Sequence, residues 1–167
     1  MKKILLSLLV TAMMLSCGEK VSVKEVKELE SKVLAKGARP TKEDVIQLVD
    51  AYILFAKQNP NDSQSPEFLF KALDIAVGVN AEGPEKAITI ADALIEKYPD
   101  FEMTPMAMYL KGFVYENKLG DLHNAEITYR QLIEKYPDNP MVEDVKATIE
   151  NLGLSPEELI RKFEEAN

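Results

Sequence analysis

Cys17 and His123 are the only cysteine and the only histidine in the 167 residues. That inventory bounds the chemistry. A zinc site draws three or four ligands from Cys, His and carboxylates, and a nucleophilic catalyst needs a base beside its Ser, Cys or Thr. His123 follows a Gly120-Asp121 turn at a helix start, where a side chain is solvated rather than paired with a nucleophile. The carboxylates Glu157-Glu158 and Glu164-Glu165 are neighbours on one helix, and such charge runs face water. No glycine-rich loop of the phosphate- or dinucleotide-binding type occurs. Asn61-Asp62-Ser63 forms a glycosylation triplet that we read as chance. The reading is a non-enzyme with no catalytic residue, no metal and no cofactor.

Cys17 has its own setting. Met1-Lys2-Lys3 is a short basic start, followed by the apolar run Ile4 to Leu15, interrupted only by Ser7 and Thr11. As a helix this run rises roughly 18 Å, short of the roughly 30 Å of bilayer hydrocarbon, so it reads as a signal peptide over residues 1–16. Leu15-Ser16-Cys17-Gly18 resembles the lipobox of bacterial lipoproteins. The resemblance implies cleavage before Cys17, lipidation of Cys17 and attachment to a membrane through that lipid. Residues 17–22 are then the lipidated cysteine and a short linker, and 23–167 a single helical domain. The glycine after Cys17 does not look like an inner-membrane retention signal, and Glu19-Lys20 is a short acidic tract for surface export. The expected address is the outer membrane, on its periplasmic face, with the external face as the alternative.

Loss of Lys2 and Lys3 takes the 20 basic residues to 18 against 28 acidic ones, moving the formal charge from −8 to −10. Nucleic-acid binding needs Lys and Arg to neutralise phosphates, so no nucleic acid is expected as a partner. An anionic bilayer offers such a body no electrostatic attraction.

The elements come from punctuation. Ile-Glu-Lys-Tyr-Pro-Asp is written twice, at Ile95–Asp100 and Ile133–Asp138. Pro60, Pro99 and Pro137 recur at spacings of 39 and 38, the mark of a helical repeat. Ser22-Val23-Lys24-Glu25 fits a capping box and Thr41 to Asp44 opens a second helix. Ser65-Pro66, Thr104-Pro105 and Asn139-Pro140 open further pairs, and Ser155 to Glu158 caps a last helix that ends near Glu165. Gly37, Gly83, Gly120 and Gly153 occupy the turn within each pair. The expectation is all-α: eight helices in four antiparallel pairs, with no strand alternation.

Gly112, Tyr115, Gly120, Ala125, Tyr129 and Pro137 resemble the packing pattern of the tetratricopeptide repeat, with one extra residue between Tyr115 and Gly120. Ala87, Ala91, Leu94 and Pro99 carry a weaker copy, so the best repeats span 65–100 and 101–138. The resemblance implies a right-handed superhelical α-solenoid whose first helices line a concave face that grips a peptide or helix. On that face it places Leu69, Leu73, Tyr109, Phe113 and Glu116, with Lys71 and Lys111 beside them. The cluster Met103, Met106 and Met108 lies alongside, and methionine suits adaptable contacts.

With its lipobox the chain is similar to small Gram-negative outer-membrane repeat lipoproteins. More distantly it is similar to the BamD-type lipoprotein of outer-membrane assembly and the periplasmic repeat protein of the Tol-Pal system. What this implies is a non-catalytic adaptor that binds another envelope protein or peptide segment. Outer-membrane protein assembly and envelope or division coordination are the narrower alternatives. Capture of a solute or glycan is disfavoured by the lack of tryptophan. The sequence does not set the oligomeric state.

Overall fold

The structure, a computed structural model, describes residues 20–79 and 82–165. The apolar leader, Cys17 and most of the linker lie outside them. Among the described residues are eight α-helices and no strand: α1 Val23–Leu34, α2 Lys42–Gln58, α3 Gln64–Gly78, α4 Pro84–Lys97, α5 Thr104–Val114, α6 Leu122–Lys135, α7 Val142–Glu150 and α8 Pro156–Glu165. Each helix from α1 to α6 packs on the next, and α3 also touches α5 directly. Neighbour-on-neighbour packing of this kind makes a tetratricopeptide-like helical array. No described helix is long and apolar enough to cross a membrane.

Local chemistry explains the starts. Ser22 and Thr41 each accept the N–H of the third helical residue, and Glu25 and Asp44 reach back to the cap N–H. Ser155 and Glu158 repeat the exchange at α8. The four turn glycines all take positive φ, between 65° and 88°, a region costly for residues with a Cβ.

Two expectations need correction. Ser65 does not cap α3; the helix begins one residue earlier, and Ser65 is fully buried in its first turn. Asp62 instead accepts the Gln64 N–H at 2.9 Å, while the Ser65 hydroxyl donates to the Asn59 carbonyl at 2.6 Å. Likewise, the helix from Thr104 does not run unbroken to Gly120. Beyond Val114 it widens into a π-turn over Tyr115–Leu119, and the Gly120 and Asp121 N–H groups both return to the Tyr115 carbonyl. A π-turn absorbs one inserted residue without breaking a helix, so the extra residue between Tyr115 and Gly120 is housed there.

The joints between pairs share one backbone form. After α2, α4 and α6, the chain turns with Asp62 N–H to Asn59 O, Phe101 N–H to Tyr98 O and Asn139 N–H to Tyr136 O. A second turn follows at each, from Ser65 N–H to Asp62 O, Thr104 N–H to Phe101 O and Val142 N–H to Asn139 O. The Thr104 hydroxyl donates to Tyr98 O at 2.6 Å, matching Ser65. The tyrosines of the duplicated hexapeptide then tie joint to joint: the Tyr98 hydroxyl donates to Pro60 O at 3.0 Å, and that of Tyr136 to Pro99 O at 2.8 Å.

The core follows the same period. Tyr52, Ala91 and Tyr129 hold equivalent places in α2, α4 and α6, and all are fully buried. Phe68 packs edge-on to Phe55 at 5.0 Å and tilted to Tyr52 at 5.3 Å. Burying each such ring stabilises the fold by about 1.5–3 kcal/mol.

Candidate protein-binding face

The first helices of the two central pairs, α3 and α5, lie side by side. Counted from the joint, Ser65-Pro66 and Thr104-Pro105 align, so Phe70 corresponds to Tyr109, Lys71 to Leu110 and Asp74 to Phe113. The burial pattern obeys this register. Leu69, Leu73, Met108 and Gly112 point inward and are buried. Met106, Tyr109, Leu110 and Phe113 are half-buried, at the (i, i+3, i+4, i+7) spacing of one helix face. Beside them α3 presents half-buried Phe70 and exposed Glu67, Lys71 and Asp74.

The expected groove set therefore divides. Tyr109 and Phe113 are accessible, but Leu69 and Leu73 are only 3% and 0% exposed and belong to the core. Their placement on the binding face is corrected by one position: Phe70 and Asp74 are the residues that match Tyr109 and Phe113. The expected set paired α3 with α5 at an offset of 40 residues, Leu69 with Tyr109 and Leu73 with Phe113, whereas the Ser-Pro and Thr-Pro joints set it at 39. Counting forward from Ser-Pro and Thr-Pro finds Phe70, Met106 and Leu110 directly.

Lys71 is exposed; its ammonium lies 2.6 Å from a Glu30 oxygen and 5.5 Å from the centre of the Phe68 ring. Lys111 is not the free cation expected. Its side chain is 19% exposed and paired with Asp92 at 2.6 Å. Glu116 is also committed, accepting the Tyr129 hydroxyl at 2.9 Å.

That Tyr–Glu contact occurs twice, since the Tyr52 hydroxyl donates to Glu30 at 2.7 Å. Burial first, then the neighbouring carboxylate, pushes both phenols well above their ordinary pKa. Each hydroxyl thus stays protonated and donates, locking the first helix of a pair to the second. The firmness of the face comes from beneath.

Gly112 and Tyr129 show how. A Cβ on Gly112 would stand 2.3 Å from the Tyr129 ring, so only glycine lets α5 seat on α6. Tyr109 stacks over the same ring at 5.7 Å. Ala125 and Ala87 are 0% and 1% exposed where α6 and α4 meet their partners, and half-buried Tyr115 starts the π-turn. Pro99 and Pro137 follow the last residues of α4 and α6 by two positions.

His123 lines an open hollow of about 590 Å³ with Leu122, Glu126, Arg130, Ile149 and Leu152. The described residues hold no cluster of His, Cys, Asp and Glu able to bind a metal. Residues 106–139 match the family model of the tetratricopeptide repeat, from the exposed stripe of α5 through the joint after α6. No curated protein matches the chain.

Proposed function

We propose that the protein is a non-catalytic scaffold that holds a segment of another cell-envelope protein against the face formed by α3 and α5. The carrying observation is the half-buried stripe Met106, Tyr109, Leu110 and Phe113, set on the helix that begins the tetratricopeptide match. Tetratricopeptide repeats serve protein–protein contact, and a rigid apolar stripe fits an amphipathic helix or extended peptide. At its edge Glu67 and Asp74 are exposed acids while Lys71 is already paired with Glu30, which favours a ligand carrying basic rather than acidic groups.

The lipobox-like Leu15-Ser16-Cys17-Gly18 supports an anchored version of this scaffold. The Val21 N–H is held by the Gln58 side chain at 2.8 Å, which ties to the body a residue four positions after Cys17. Four residues reach about 14 Å at most, which keeps the scaffold against the membrane that carries the lipid. We place it at the outer membrane, facing the periplasm.

Photo-crosslinking in cells tests the reading. A crosslinker at Phe113 is expected to trap one protein adduct, while one at exposed Asp138 on the joint edge traps none. Equal trapping from both positions, or from neither, overturns the binding face. Labelling with a palmitate analogue should mark the wild-type protein and spare Cys17→Ser; equal labelling of both removes the anchor.

A further inference from the structure

Because consecutive helices run antiparallel, the four glycine turns share one edge of the array and the three joints the other. The two edges differ in character. Leu34, Val79, Leu119, Leu122 and Leu154 are 56%, 52%, 40%, 40% and 38% exposed, and all five lie on the turn edge. Two further exposed large apolar side chains among the described residues, Ile127 at 40% and Ile160 at 59%, lie within α6 and α8, and none lies on the joint edge. Single exposed leucines are ordinary, but a row of them marks a contact surface.

Charge is ordered along the same row. The first turn carries Lys36, Arg39 and Lys42, all exposed and without an ion-pair partner among the described residues. The second turn exposes Glu85, while at the third exposed Lys118 is offset by Asp121. At the fourth, Glu150 and Glu157 are exposed and have no ion-pair partner among the described residues. The row is therefore basic at its first end and acidic at its fourth. Laid parallel on itself, the edge opposes like charges at both ends. Laid antiparallel, it opposes the basic first turn to the acidic fourth. Self-complementarity under a two-fold axis is the requirement of an isologous dimer; a binding site for an unrelated partner has no need of it.

Shape agrees with charge. The hollow of about 590 Å³ opens beside the third and fourth turns, where Leu122, Ile149 and Leu152 line it together with His123, Glu126, Arg130 and Glu150. Leu34, the most exposed large apolar side chain on the turn edge, stands on the turn that the antiparallel arrangement sets opposite the fourth. We infer that the glycine-turn edge is a homodimer interface, with two copies packed antiparallel and Leu34 of each seated between Leu122 and Leu152 of the other. The α3–α5 face stays open in both copies, so the assembly is a two-site scaffold.

Sedimentation equilibrium of the full chain in density-matched detergent tests this. The wild type is expected to dimerise at micromolar concentration and to weaken roughly tenfold between about 50 mM and about 500 mM salt, as screening removes the charge pairs. Leu34→Asp should give monomer. Arg39→Glu should weaken the dimer by roughly tenfold or more, and adding Glu157→Lys should restore it, because the swapped charges again face one another across the two-fold. All three positions are exposed, so unchanged circular dichroism separates lost assembly from lost fold. A wild type monomeric at every concentration overturns the interface. So does a dimer indifferent to Leu34→Asp, and failure of the double variant to recover overturns the antiparallel register.

Discussion

Gly112 shows how much of the array rests on single side chains. Most glycines here serve turns, but Gly112 is helical and its role is clearance: the Tyr129 ring fills the space a methyl would take. Tyr129 is fully buried and its hydroxyl is spoken for by Glu116, so the ring cannot swing away without losing that bond. Gly112→Ala, which at an exposed helical site would stabilise, should here destabilise by about 1–3 kcal/mol through overpacking. Urea denaturation reads the effect directly. The pair Gly112→Ala/Tyr129→Leu should recover part of the loss, because the smaller side chain opens the space. Gly112 and Tyr129 were both legible as a repeat pattern, but only the geometry shows that one exists to fit the other.

At the scale of elements, the joints carry the repeat more faithfully than the helices do. Asn59, Tyr98 and Tyr136 begin backbone turns of the same form despite differing side chains, and the residue six positions on is buried in each case: Ser65, Thr104 and Val142. Two of these three have a hydroxyl that returns to the start of the joint. Thr104→Val removes that bond while keeping shape; the Tyr98 carbonyl keeps the Phe101 N–H, so the cost is about 0.5–1.5 kcal/mol. Val142→Thr supplies the missing hydroxyl at the third joint and should gain about 0.5–1 kcal/mol. Opposite shifts in the urea midpoint are expected, and shifts of the same sign would contradict the equivalence of the joints. Helix order, turn glycines, capping boxes and proline spacing were legible because each is a local signal. The π-turn was visible only as an extra residue between Tyr115 and Gly120, since sequence says that a residue is added but not how the backbone absorbs it. Leu69 and Leu73 were put on the binding face by pairing α3 with α5 at an offset of 40 residues, one more than the joints set. The pairing of Lys111 with Asp92 was not legible either, as it joins α5 to α4 across a joint.

For the molecule as a whole, function follows from a division between edges and face. The joint edge is wired through Tyr98 and Tyr136 and holds the pairs in order. The turn edge carries the apolar row, basic at its first end and acidic at its fourth, and the α3–α5 face carries the accessible stripe. The polar neighbours of that face, Lys111 and Glu116, are already used internally. The scaffold reading therefore depends on the stripe, which runs from Met106 to Phe113. The most direct test takes the segment crosslinked to Phe113 as a synthetic peptide and measures its binding by calorimetry to the wild type and to Phe113→Asp. Burying a carboxylate against an apolar ligand should weaken binding by roughly tenfold or more; because Phe113 is half-buried, the melting temperature is read beside it so that both proteins are compared where both are folded. Equal affinity for the two proteins would contradict the α3–α5 face as the place where the partner is held.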